Sequence, residues 1–171
     1  VEGVAGAGSR EDETASIDTE ALANEIAIGA LRYFMLKYGR NKVIAFDFNE
    51  ALTFEGDSGP YLQYSTVRAE NIFRKMKERG VNAMMDEASI DGLTIGGEMA
   101  DELWEIVRMS AETAGAVRRA VDALELSVLT HHLLELAQRF NSFYHKFPIL
   151  NEEDPAERQR RAACAEVFRQ T

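Results

Sequence analysis

The stretch Phe54-Glu55-Gly56-Asp57-Ser58-Gly59-Pro60-Tyr61-Leu62-Gln63-Tyr64, running on to Arg68, decides how this chain reads. Glycine-proline opens a helix, because proline lacks an N–H and its fixed φ suits the first helical turn. That turn carries two tyrosines three residues apart. At about 100° per residue, Tyr61, Tyr64, Arg68, Asn71, Lys75 and Arg79 share a sector of roughly 80°. Leu62, Ala69, Ile72, Phe73 and Met76 fill the neighbouring sector, so one side faces a core. The other side interleaves aromatic rings with cations, a surface that can stack on unpaired bases while holding their phosphates. A second reading stays open at this point: Tyr61 and Tyr64 packing over a domain junction.

The bulk composition pulls against nucleic-acid binding. The 171 residues carry 29 acidic and 19 basic side chains, for a formal charge of -10 and a pI near 4.8. A general binder of nucleic acid is basic, because phosphate contacts release counterions; DNA is not an expected partner. The acids cluster away from the stripe, at Glu11 to Glu13, Asp86-Glu87, Glu98 to Glu102 and Glu152 to Asp154. Glu70 and Glu78 project in other directions, which leaves the stripe free of carboxylates. No apolar run nears the ~20 residues that span a bilayer, and no signal peptide is visible. The single cysteine, Cys164, forms no internal disulfide and suits a reducing compartment, so a cytoplasmic location is expected. The first residue is Val, and the chain reads as a fragment or a processed product.

Residues 1–17 read as a flexible acidic leader. Asp18 or Thr19 caps a helix with Leu22, Ile26, Ala30, Tyr33 and Phe34 at helical spacing, expected to end at Tyr38-Gly39. Val43 to Phe48 alternates like a short strand, followed by a turn or short helix to Phe54. The helix from Pro60 stops at Gly80, and residues 81–97 read as a loop in which Met84-Met85 covers core surface or binds a ligand. From Glu98 onward the spacing predicts helices around Leu103 to Met109, Ala114 to Leu124 and Ser127 to Tyr144. Pro155 opens a last one. The predicted fold is mainly α: a helical bundle preceded by a helix and a short β or irregular junction element.

No metal site is expected. His131 and His132 are adjacent and diverge by about 100° on a helix, and His145 has no carboxylate or cysteine at helical spacing. No phosphate-binding glycine loop and no Ser-His-Asp arrangement can be read either, so no catalytic residue and no cofactor is assigned to this chain. In the helix from 126 to 144, Leu129, Leu133, Leu136, Phe140 and Phe143 form a core stripe with Ala137 allowing close approach. His131, Gln138, Asn141 and His145 share a polar stripe. It is either a solvated face, or one from which Asn141 and His145 hydrogen-bond a base or phosphate beside Tyr61 and Tyr64.

The chain resembles the class I arginyl-tRNA synthetases. The matching segments are Ala30-Leu31-Arg32-Tyr33-Phe34, Val43-Ile44-Ala45-Phe46-Asp47-Phe48, Phe54-Glu55-Gly56 with Gly59-Pro60-Tyr61-Leu62-Gln63-Tyr64, Leu136-Ala137 with Phe140-Asn141 and Phe143-Tyr144, and Arg160-Arg161-Ala162-Ala163. They stand in family order across residues 20 to 170. The resemblance implies that residues 18–58 end a catalytic part as a junction fold, and that residues 59–171 are the α-helical anticodon-binding domain. It implies tRNA(Arg) as partner, with Tyr61, Tyr64, Arg68, Asn71, Lys75, Asn141 and His145 as tRNA-binding positions. The HIGH-type and KMSKS-type motifs are absent, as is the family's C-terminal tail. Arginine and ATP (with Mg) are therefore expected to act only through a catalytic part outside these residues. The competing expectation is a stand-alone synthetase-derived module that binds a protein or another RNA without catalysis.

Overall fold

The computed structural model describes residues 18–81 and 97–171. The expected leader at 1–17 and the Met84-Met85 loop lie outside the described residues. Six helices are described: α1 (Thr19–Leu36), α2 (Phe48–Leu52), α3 (Gly59–Glu78), α4 (Glu98–Ala123), α5 (Ser127–Lys146) and α6 (Pro155–Gln170). The mainly α fold is as expected; the strand is not. Residues 43–47 have no regular structure, and no strand occurs among the described residues. The alternation at Val43 to Phe48 has another cause. Phe46 packs edge-on against Phe34 (4.9 Å) and Phe48 (4.8 Å), while Val43 points outward at 95% exposure. Asp47 then caps α2, accepting from the Asn49 N–H at 2.7 Å.

Two further boundaries differ from expectation. Helix α1 stops at Leu36, within two residues of the predicted end. The two helices expected between Leu103 and Leu124 are one continuous α4, because Gly115 interrupts no backbone ladder and Ala116 and Ala120 carry the buried stripe onward. Other local signals hold. Asp18 caps α1 through the Glu20 and Ala21 N–H groups, both at 3.1 Å. Asp154 caps α6, with Pro155 as its first residue.

Helices α3, α4, α5 and α6 enclose the main core. Ile72, Met76, Ile106, Leu136, Phe140, Phe143, Ile149 and Cys164 are essentially excluded from solvent. Of the expected α5 stripe, Leu136, Phe140, Phe143 and Ala137 are buried; Leu129 and Leu133 lie half-buried at its margin. Phe168 of α6 stacks on Phe140 with centroids 4.2 Å apart and planes 5° from parallel. Helices α4 and α5 run antiparallel through the short turn at 124–126. Lys146 bridges back to Glu98 and Glu102 at the far end. Cys164 is a packed residue, with burial pushing its thiol well above the ordinary range.

The segment between α1 and α3 fixes where α3 begins. Lys37, 5% exposed, donates from Nζ to Glu50 Oε1 (2.7 Å) and to the Asp57 carbonyl (2.9 Å). Tyr33 donates to Asp57 Oδ1 at 2.6 Å. Ser58 then caps α3, accepting from the Tyr61 N–H at 3.2 Å and donating to the Thr53 carbonyl at 2.6 Å. Gly59 lies directly on α1: a Cβ there would sit 2.7 Å from Ala30 Cα. That is why glycine stands at this position.

Candidate nucleic-acid interface

Beside this crossing, α3, α5 and the segment after α5 form a recess of about 220 Å³, lined by Tyr64, Arg68, Asn71, Lys75, Tyr144 and Leu150 among others. Four of the six lining residues named here belong to the predicted α3 stripe. One helix face at i, i+4, i+7 and i+11 spacing therefore opens onto a single concavity.

Arg68 is its centre. The guanidinium lies over the Tyr64 ring at 4.6 Å from the centroid and over the Tyr144 ring at 5.5 Å. Its Nη1 donates to Asn141 Oδ1 at 2.5 Å, and its Nη2 to the Tyr64 hydroxyl at 3.1 Å. Asn141 in turn donates through Nδ2 to Ser65 Oγ (2.7 Å), and Ser65 donates to the Tyr61 carbonyl (2.7 Å). Ser65 is fully buried, so its end of the chain is shielded from competing water, while the Arg68–Tyr64 bond at the other end is exposed. It joins α5 to α3 at the level of the two rings.

The remaining predicted residues divide. Asn71 accepts from Arg74 at 3.2 and 3.1 Å through Oδ1, and among the described residues its amide nitrogen has no partner. Lys75 is exposed. Arg79 does not line the recess and donates to the Leu150 carbonyl. Tyr61 does not line the recess: it is half-buried against the core cluster. Tyr64 also borders a second hollow, shared with Leu22 and Ile26 of α1 and with Phe54 and Pro60. Tyr64 stays 47% exposed, with ring surface left for a ligand. Asn141 is tied to the recess through its bond to Arg68, whereas His145 is exposed and does not line it.

The stripe projection did not pick out Tyr144 or Leu150. Tyr144 stands three residues after Asn141, a spacing that signals a shared helix face. Leu150 follows the end of α5, and no periodic signal reaches it. A larger groove of about 620 Å³ between α4 and α5 contains Glu105, Arg108, Glu112, His132 and Glu135. Arg108 there is bound to Glu105 (2.8 Å) and Glu112 (2.7 Å). Arg139 lines it as well, so the groove mixes three carboxylates with two guanidiniums and holds no Tyr, Phe or Trp ring on which a base could stack. Among the described residues, no group of three or more His, Cys, Asp or Glu is placed to hold a metal ion. No described helix is long and apolar enough to cross a membrane.

A helical bundle with an aromatic-cation recess on one face is the kind of module that grips unpaired nucleotides. The chain belongs to the DALR anticodon binding domain family, whose model matches residues 62–171. It is 34% identical over 158 residues to an arginine–tRNA ligase of Clostridium acetobutylicum, covering 92% of this chain and 26% of that protein. An arginine–tRNA ligase of Clostridium kluyveri is 38% identical over 135 residues, 79% of this chain and 23% of the relative. Among solved structures, the Thermus thermophilus arginyl-tRNA synthetase superposes with a TM-score of 0.72 at 28% identity, over 94% of this chain and 26% of that one. The chain thus spans about a quarter of the length of these relatives. The resemblance expected from the quoted motifs is met.

Proposed function

We propose that the recess at Tyr64 receives an unpaired base of the anticodon arm of tRNA(Arg), as the tRNA-gripping part of an arginine–tRNA ligase. The observation that carries this reading is the arrangement of Tyr64, Arg68, Tyr144 and Asn141, two aromatic faces fixed around one cation beside an exposed lysine. Aromatic rings supply stacking that tolerates any base, and the lysine supplies charge for phosphate. The family match and the arginine–tRNA ligase relatives support the choice of tRNA. The sequence holds neither class I signature motif. This reading therefore assigns ATP, Mg and arginine to residues outside these 171, and no chemical step to any residue here.

Tyr64→Ala is expected to weaken tRNA(Arg) binding by about 1–3 kcal/mol, the scale of a base-stacking aromatic. Fluorescence titration of the intact protein measures it, and an unchanged affinity removes the stacking role. The stand-alone module that binds a protein instead draws support from exposed apolar side chains on α1 and α2, among them Ile28, Leu31, Met35 and Phe48. A gel shift against total tRNA at two salt concentrations separates the two. Salt-sensitive binding selective for tRNA(Arg) supports the first reading; no shift supports the second.

A further inference from the structure

We infer that Arg68 is a positioning residue of the recess and not one of its phosphate contacts, and that Lys75 is the cation that meets phosphate. This inference rests on the RNA-binding reading above. A basic side chain at an RNA surface is ordinarily counted as a phosphate ligand, and both residues fall on the same stripe. Their surroundings differ sharply.

The Arg68 guanidinium is already committed. One Nη donates to Asn141, the other to the Tyr64 hydroxyl, and the planar group lies over two tyrosine rings. Swinging out to a phosphate would forfeit both bonds, strip two ring faces of their cation, and leave the half-buried Asn141 carbonyl without its donor. Arg68 is itself only part-exposed. Its fork geometry, which lysine lacks, is what lets one side chain reach an amide oxygen and a phenol at once. The rings and Asn141 are thus held in place before any ligand arrives, so less ordering remains to be done on binding.

Lys75 has the opposite character. It lines the recess and is exposed, and among the described residues its ammonium has no hydrogen bond or ion pair. The neighbouring cations are occupied. Arg74 is paired with Glu78 at 2.5 Å and bonded to Asn71, and Arg79 is bonded to the Leu150 carbonyl. On this stripe Lys75 is the cation free to replace a condensed counterion. It stands one turn beyond Asn71, whose amide nitrogen also has no partner among the described residues.

The test is the salt dependence of binding, measured by fluorescence anisotropy of the intact protein with a tRNA(Arg) anticodon stem-loop at several salt concentrations. Lys75→Ala is expected to reduce the slope of log K against log salt by about 0.7, the loss of one contact to an unpaired strand. Arg68→Ala is expected to lower affinity about tenfold, the loss of one stacked ring, with the wild-type slope retained. Arg68→Lys keeps the charge but not the fork, and is expected to bind as weakly as Arg68→Ala. Near-wild-type binding by Arg68→Lys, or a slope flattened in Arg68→Ala, overturns the inference while leaving the RNA-binding reading intact. Absence of salt-dependent binding by the wild type overturns both. Should Arg68→Ala lose its helical circular dichroism, Arg68→Lys decides the matter.

Discussion

Lys37 shows how one buried charge organises the approach to the recess. Burial alone pushes its ammonium down, but the hydrogen bond to Glu50 and the charges of Asp57 and Glu50 outweigh that and hold it above the ordinary lysine value. Tyr33 is raised as well, first by burial and then by its bond to Asp57 and that carboxylate's charge. Both groups hold their protons more tightly folded than unfolded. Their contribution is therefore complete below about pH 10, the unfolded range for Tyr and Lys, and is lost as pH rises beyond it. Glu50 is lowered, chiefly by the hydrogen bonds from Lys37 and Tyr38, and its contribution disappears in acid instead. Lys37→Met is expected to cost about 1–3 kcal/mol, because the Asp57 carbonyl loses its donor and Glu50 its partner. Urea midpoints recorded from about pH 8 to 11 should fall at the alkaline end, and less steeply in Lys37→Met than in the wild type. A midpoint that does not move with alkali would contradict the assignment.

Among the elements, the crossing of α1 and α3 sets the geometry that the recess depends on. Gly59 touches α1 so closely that a Cβ would lie 2.7 Å from Ala30 Cα, 3.0 Å from Tyr33 Cβ and 3.1 Å from the Gly29 carbonyl. Two of these neighbours are backbone and cannot rotate away. Gly59→Ala should therefore force the helices apart and destabilise by about 1–3 kcal/mol, the usual cost of overpacking. Thermal unfolding reads the loss, and an unshifted midpoint would show that the helices can slide without penalty. Because Ser58 caps α3 one residue earlier, the same substitution displaces the turn that carries Tyr61 and Tyr64. The helical period already placed Tyr64, Arg68, Asn71 and Lys75 on one face. It carried no information on which neighbour would close that face, since periodicity is local and the partner, α5, lies more than seventy residues away.

Across the whole molecule, the core and the recess share one helix, α5. Phe140 faces inward and stacks on Phe168, while Asn141 and Tyr144 on adjoining positions hold Arg68. Phe140→Ala opens a cavity between α5 and α6 and is expected to cost about 3–5 kcal/mol in denaturant unfolding. A loss below about 1 kcal/mol would mean that the bundle collapses around the gap. The formal charge of -10 does not forbid RNA at the recess, since the carboxylates nearest in sequence, Glu70 and Glu78, face away and pair with Arg169 and Arg74. Where sequence reading missed, it missed for physical reasons. The alternation at Val43 to Phe48 is an aromatic cluster on α1 rather than a sheet, because a strand needs a second strand and none is present among the described residues.

The sequence by itself determined most of the helices, the Asp18 cap, the Pro155 start, most of the buried stripes and the family, because each of these follows from residue types and spacing along one segment. Gly59 and Pro60 announce α3, and the stripe from Tyr64 to Lys75 follows from 3.6 residues per turn. Tertiary structure decided what that stripe became. It turned Tyr61 into packing, spent Arg68 on Asn141 and two tyrosine rings, brought in Tyr144 and Leu150, and left Lys75 without a partner among the described residues. Those outcomes depend on which helix lies across α3 and at what height. Contacts between distant segments set that, and no local pattern records it.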